Sequence, residues 1–179
     1  MPCAGQHGLE RRDAHGDVHS PDLHATDLDL ARDALNTLTE RIPNVFVEDK
    51  GLALALHYRA APETRETCGD AARDAVELLG EQFAIQAGKM VFEIKPSAYH
   101  KGTAIQSFMD EAPFLGKTPL FFGDDVTDED GFSAIKRVGG YAVKVGGGKS
   151  SAPWRLPDPA AVRGWLRDYL NFLQQRRKT

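Results

Sequence analysis

The feature that most narrows the fold is a short apolar run, residues 119–122, that gives way at once to Gly123 and then to five acidic residues in seven positions: Asp124, Asp125, Asp128, Glu129 and Asp130. A strand apolar on both faces belongs inside a sheet covered on both sides, and such sheets are parallel and alternate with helices. The flanking sequence has that rhythm. Helical spacing over 101–112 (Ala104, Ile105, Phe108, Met109) precedes the strand, and a helix over about 127–137 follows it. A second apolar strand at 141–145, a Gly-rich loop and a last helix over about 159–175 complete the pattern. The class is therefore α/β.

The preceding stretch has a different character. From 23 to 42, Leu28, Ala31, Leu35, Leu38 and Ile42 recur at three- and four-residue steps, which marks one face of an amphipathic helix closed by Pro43. Val45 and Val47, the turn Asp49-Lys50-Gly51, and Leu52, Leu54 and Leu56 then spell a hairpin. Pro62 opens a second helix (Ala71, Ala75, Leu78, Leu79) stopped by Gly80, and 83–94 spell a second hairpin. Helix, hairpin, helix, hairpin is an α+β module with helices on one sheet face. The expected divisions are 1–22 (the end of an N-terminal core strand and a linker), 23–94 (the module) and 95–179 (the α/β part).

Composition excludes other classes. With 22 Lys+Arg against 26 Asp+Glu the formal net charge is −4, which disfavours a nucleic-acid binder with its basic stripe. No run approaches the roughly 18 apolar residues of a membrane span, and residues 1–13 hold no apolar segment of signal-peptide length. Cys3 and Cys68 make no disulfide framework, so a reduced, cytoplasmic chain is expected.

In open α/β sheets, ligands bind beyond the carboxyl ends of the strands, which is where the acidic loop lies. Carboxylate oxygens there suit Mg²⁺, which takes one or two protein carboxylates and completes its shell with water and phosphate. A loop that merely capped the next helix would need no Gly-Asp-Asp behind four apolar residues. Lys101-Gly102, at the start of a helix, can meet a phosphate through the ammonium and the free backbone N–H groups. Alone, that second signal is weak.

Together these elements resemble motifs three and four of the haloacid dehalogenase superfamily. Longer stretches resemble its trehalose-6-phosphate phosphatase family: His7-Gly8-Leu9-Glu10-Arg11-Arg12, Lys50-Gly51 with His57-Tyr58-Arg59, Glu93-Ile94-Lys95-Pro96, His100-Lys101-Gly102 and Gly123-Asp124-Asp125-Val126-Thr127-Asp128-Glu129 occur in that family's order. Val143-Lys144-Val145-Gly146 and Trp154-Arg155-Leu156 fit as well. The resemblance implies a partial Rossmann-like core with a parallel sheet and an inserted α+β cap that closes over the sugar. It implies hydrolysis of trehalose 6-phosphate in trehalose biosynthesis, through an aspartyl-phosphate in the complete enzyme. It further implies Asp124 as a Mg²⁺ ligand, Asp128 as its companion holding the metal's water or the lysine, and Lys101 as the catalytic base that neutralises nucleophile and phosphoryl oxygens. Glu48, Lys50, Arg59 and Glu93 fall where the family contacts the sugar and phosphate. Association with a trehalose-phosphate synthase is the implied partnership, with no nucleic acid and no membrane. His57 reads as structural rather than catalytic.

One departure matters. The superfamily's nucleophile sits in an Asp-x-Asp-Gly-Thr motif, and these 179 residues contain none. Asp27-Leu28-Asp29 has the spacing but lacks the Gly-Thr and lies inside the periodic helix. Without the carboxylate nucleophile the covalent route is closed, so the chain alone is expected to be inactive, with the strand at 119–122 left at a sheet edge. Gly146-Gly147-Gly148-Lys149-Ser150 is no P-loop, because the pattern needs a glycine where Val143 stands. The basic end, Arg176-Arg177-Lys178, complements a helix dipole. Two alternatives remain: a related phosphatase acting on sucrose phosphate or mannosylglycerate phosphate, and a non-catalytic module that binds the sugar phosphate.

Overall fold

A computed structural model describes residues 1–176, the side chains of Ala25 and Thr26 excepted; Arg177 and Lys178 of the basic end lie outside the described residues. The chain forms two compact units, one of Ser20–Tyr99 and one of Met1–His19 together with the chain from His100 on. Three short strands open the second of these: β1 (Cys3–Gly5), β2 (Glu10–Arg12) and β3 (Val18–His19), antiparallel in the order β1-β2-β3. They form a sheet of their own rather than a strand of the parallel sheet. Asp13 shapes the β2–β3 turn, its Oδ1 accepting the N–H groups of His15, Gly16 and Asp17 at 2.8–3.0 Å.

In the unit Ser20–Tyr99, a 3-10 turn (Ala25–Leu28) leads into α1 (Asp29–Thr39). The helix is shorter than the 23–42 periodicity. The Asp27 carboxylate accepts the His24 N–H and tightens the start, and turn bonds from the Glu40 N–H to the Asn36 carbonyl and from the Arg41 and Ile42 N–H groups to the Leu38 carbonyl carry the chain from Glu40 to Ile42. The antiparallel sheet comprises β4 (Phe46–Asp49), β5 (Leu54–His57), β6 (Phe83–Gly88) and β7 (Val91–Pro96), in the order β4-β5-β7-β6. Between the hairpins runs α2 (Arg65–Leu79), ended by Gly80 at φ 81°. Strand β7 runs across the expected division at 94/95, because Lys95 and Pro96 stay in register with Ala84 and Phe83.

One face of this sheet supplies the core. Leu54, Leu56 and Ile94 pack with Leu28, Ala31 and Leu35 and with Cys68, Ala72 and Ala75 of α2. The opposite face is set by register. Glu48 pairs Ala55, Ala55 pairs Glu93 and Glu93 pairs Gln86; one step along, Phe46 pairs His57, His57 pairs Val91 and Val91 pairs Gly88. Directly opposed residues share a face, so Glu48, Glu93, Phe46 and His57 stand together on the side away from the core.

From His100 on come α3 (Lys101–Met109), β8 (Leu120–Gly123), α4 (Asp128–Arg137), β9 (Tyr141–Val145), β10 (Trp154–Leu156) and α5 (Pro159–Arg176). The sheet is parallel in the order β10-β9-β8, so among the described residues β8 is an edge strand. The face carrying Phe121 and Ala142 is covered through Phe132 and Ile135 of α4 and Ile105 of α3. The face of Leu120, Phe122 and Val143 opens on a groove of about 540 Å³, touched by α5 through Trp165 against Phe122. No residue of α5 is buried.

Candidate functional site

The site is assembled where β8 ends. Gly123 is the last residue of the strand, and a Cβ there would stand 2.5 Å from Cγ of Asp128, so only glycine lets the chain pass the Asp128 carboxylate. That carboxylate, on the first residue of α4, is almost fully buried and has every oxygen in use. Its Oδ2 accepts the N–H groups of Asp124 and Asp125, each at 2.9 Å, and its Oδ1 takes the Lys101 ammonium at 2.6 Å. Burial pushes the Asp128 pKa up, but the Lys101 hydrogen bond and the backbone donors outweigh it, and the net direction is down. The group is a fixed anion that shapes the loop from inside.

Lys101 is fixed in turn by the start of α3. The His100 imidazole accepts the Gly102 N–H at 3.1 Å, while the Thr103 hydroxyl accepts the His100 N–H. This reciprocal cap satisfies donors that a helix start leaves open. Gly102 lets α3 approach α4, since a Cβ there would lie 2.6 Å from the Asp130 carbonyl.

Asp124 sits at the exposed tip of the loop. Its backbone is held on two sides, the N–H by Asp128 and the carbonyl by the ammonium of Lys144 at 2.7 Å. Lys144, only 6% exposed, comes up from β9. Sequence reasoning assigns it no role; the available signal is a lone charge inside an otherwise apolar strand. Glu129 completes the frame, its carboxylate accepting the Ser151 N–H at 2.8 Å. Burial raises its pKa, and the Ser151 and Ser150 donors together with the nearby Lys144 charge bring it below the usual carboxylate range.

Among the described residues no group of three or more His, Cys, Asp or Glu side chains could enclose a cation. The donors fit a Mg²⁺ ion held by few protein ligands. Asp124 offers an exposed carboxylate, and Thr127, three residues further along the chain, has a buried Oγ1 without a hydrogen-bond partner. Asp128, occupied by Lys101 and two backbone donors, is placed to hold the lysine.

The residues expected to meet a sugar lie in the other unit. Lys50 and Glu93 form an ion pair at 3.1 Å, with Glu93 buried. Glu48 stands in the same row as Glu93 and meets His57 Nε2 at 2.9 Å. Arg59 is exposed beyond the far end of β5, its guanidinium reaching the Lys89 carbonyl at 3.5 Å. Lys95, buried two residues after Glu93 in the quoted Glu93-Ile94-Lys95-Pro96 stretch, donates to the Tyr99 carbonyl at 3.1 Å; the sequence assigns it no role of its own.

The profile of the trehalose-phosphatase family matches residues 1–160. The chain is 45% identical over 181 residues to the trehalose-6-phosphate phosphatase of Escherichia coli strain K12, covering 99% of this chain and 66% of that protein. It is 39% identical to the probable trehalose-phosphate phosphatase of Sinorhizobium fredii, covering 92% of this chain and 62% of that one. Among solved structures, the C-terminal domain of the Candida albicans trehalose-6-phosphate phosphatase superposes with a TM-score of 0.74 at 22% identity, over 90% of this chain and 68% of that one. That likeness shows the fold, a haloacid dehalogenase-type parallel core with an α+β cap. The chain spans just under two thirds of the length of these two curated relatives.

Proposed function

The chain belongs to the trehalose-phosphatase family, and from that premise we propose that it carries the metal- and lysine-bearing part of a cytoplasmic, Mg²⁺-dependent phosphatase whose substrate is trehalose 6-phosphate. The observation that carries the reading is the Lys101–Asp128 pair at the end of β8. It presents a cation whose position is set by a buried carboxylate, beside an exposed Asp124. Lys101 binds a phosphoryl oxygen and neutralises its charge as the ester breaks, because a fixed cation in a partly desolvated site is worth more than one in water. Asp128 holds that ammonium, and through the Asp124 and Asp125 amides it keeps the loop in one shape. Asp124 would hold Mg²⁺, which when bound supplies further charge neutralisation on the phosphate. Lys50, Glu93, Glu48 and Arg59 supply charged hydrogen-bonding groups for the sugar hydroxyls and the ester. The covalent step needs an aspartate nucleophile that these 179 residues do not contain, so the chain alone binds without turnover. A trehalose-phosphate synthase, which makes this substrate, is the partner this chemistry favours.

Calorimetric titration of the 179-residue chain with trehalose 6-phosphate, with and without Mg²⁺, tests the reading, with phosphate release followed in parallel. The expected result is saturable binding that Mg²⁺ strengthens, loss of that Mg²⁺ effect in Asp124→Asn, and no detectable phosphate release. Absence of binding overturns the substrate assignment. Equal affinity for sucrose 6-phosphate moves it to the broader sugar-phosphatase class. Turnover at the rate of an intact enzyme refutes the predicted inactivity.

A further inference from the structure

Strand β4 carries an aromatic residue that the reading above leaves unused. Phe46 is 57% exposed, yet it is not a stray surface side chain. Its ring lies flat on the His57 imidazole, centroids 4.7 Å apart and planes 12° from parallel. His57 in turn meets Glu48 Oε2 through Nε2 at 2.9 Å. Register puts all three on the sheet face opposite the core, with Phe46 and His57 in one row and Glu48 and Glu93 in the next. Lys50 follows Glu48 by two residues and reaches Glu93. Alternate residues on a strand are roughly 6.6 Å apart, so Phe46, Glu48 and Lys50 span roughly 13 Å along one edge. An apolar plate therefore adjoins a line of charged hydrogen-bonding groups.

A pyranose ring has that same division: C–H bonds on a ring face and hydroxyls around the rim. Binding sites for such ligands combine aromatic surface with a few placed polar groups. We infer that the stacked Phe46–His57 pair is a platform for one pyranose ring of a non-ionic disaccharide, with His57 also acting as a positioning residue that holds Glu48 toward the sugar hydroxyls. This rests on the proposed substrate class and adds a contact that the sequence resemblance did not supply. It also reassigns His57, whose place in an alternating apolar run suggests a purely structural role. The outer face of the Phe46 ring meets the sugar, and the imidazole backs it while keeping its hydrogen bond to Glu48.

Trehalose itself, without the phosphate, is the probe. Its dissociation constant for the full chain is measured by NMR titration, together with saturation transfer from aromatic protons to sugar C–H protons. Phe46→Ala is expected to weaken binding roughly two- to tenfold, the range of an aromatic contact, and to abolish the transfer. His57→Gln, which can still hydrogen-bond Glu48 but offers no ring, is expected to lose part of the affinity while leaving Phe46 in place. Phe46→Tyr is expected to restore wild-type binding. Both substitutions lie on the sheet face away from the core, so the melting temperature is expected to hold and separates loss of contact from loss of fold. Trehalose binding to wild type with unchanged affinity in Phe46→Ala overturns the platform and leaves the substrate assignment standing. No trehalose binding to wild type at any concentration also overturns the platform, while the substrate assignment stands or falls with the trehalose 6-phosphate titration.

Discussion

The two principal sheets of this chain bury their apolar faces to different extents. The antiparallel sheet β4-β5-β7-β6 has one face sealed by α1 and α2, and among the described residues thirteen buried ones form its core. The parallel sheet β10-β9-β8 has α3 and α4 over one face, where the buried cluster is Phe132, Ile135 and Ala142. On its other face Leu120 is 38%, Tyr141 55% and Trp154 58% exposed, and α5 lies on that side with none of its own residues buried. Parallel sheets are ordinarily covered on both faces, so this half has apolar surface without the packing that such surface usually finds. The comparison teaches that stability and chemistry are held by different devices. The cap is held by a closed core, and the loop at the end of β8 by hydrogen bonds to a buried carboxylate.

Truncating matched leucines separates the two sheets most sharply. Leu56→Ala, in the sealed core, is expected to cost about 3 kcal/mol of stability, the usual range for a fully buried leucine being about 2–5 kcal/mol. Leu120→Ala, on the open face, is expected to cost under about 1 kcal/mol, because much of the side chain is already in water. Denaturant unfolding with amide exchange read separately in each unit measures both, and equal costs would erase the contrast.

Next in size is the device in the other half. Asp128→Ala strips the Lys101 ammonium and the Asp124 and Asp125 amides of their shared acceptor. Its expected cost is about 1–2 kcal/mol in the unit that contains β8, the lower part of the range for losing a shared acceptor, because the partly exposed donors can turn to water. The same variant is expected to leave amide protection in Ser20–Tyr99 unchanged. Equal loss of protection in both units would show that the loop and the cap core unfold as one.

The smallest effect is expected from acid. Asp13 is held at a pKa of about 2, below its ordinary 3.8, chiefly by His19 and, against the cost of burial, by the Asp17, His15 and Gly16 amides. Asp128 is displaced in the same direction. A carboxyl whose folded pKa is depressed adds stability that is complete above its unfolded value and fades as pH falls through the folded one. Protection of the Asp124 and Asp125 amides is therefore expected to fall once pH drops below the ordinary carboxylate range, and that of the His15, Gly16 and Asp17 amides to fall between about pH 4 and pH 2. Protection that persists to pH 2 at these amides would break the link between the depressed carboxyls and local stability.

Much of this architecture was legible in the chain. The three- and four-residue spacing of Ala31 and Leu35, the turn glycines Gly51 and Gly80, and the alternation of Leu54 and Leu56 predict elements that the structure contains. The acidic loop after a short apolar strand marks the end of β8. Less legible were the short partners. Three-residue β10 has no period to detect, and β1–β3 are specified by pairing and by the Asp13 turn rather than by pattern. The strand expected at 119–122 reads as buried on both faces, yet Leu120 is not, because exposure depends on which elements pack against a strand.

The candidate site divides in the same way. Lys101, Asp124 and Asp128 stand out by residue type and neighbourhood, whereas Lys144, Phe46 and His57 do not. A lysine in a strand or an aromatic at an edge acquires meaning only from what faces it. By itself, the sequence determined the elements, the turn positions and the acidic loop, since these follow from spacing and backbone preference among residues a few positions apart. The tertiary structure alone decided that Lys101 would meet Asp128 across 27 positions, Lys50 meet Glu93 across 43 and Lys144 reach Asp124 across 20. Such partners are chosen by strand register and by close approach at residues like Gly123, where side chains distant in the chain must fit one another at contact distance.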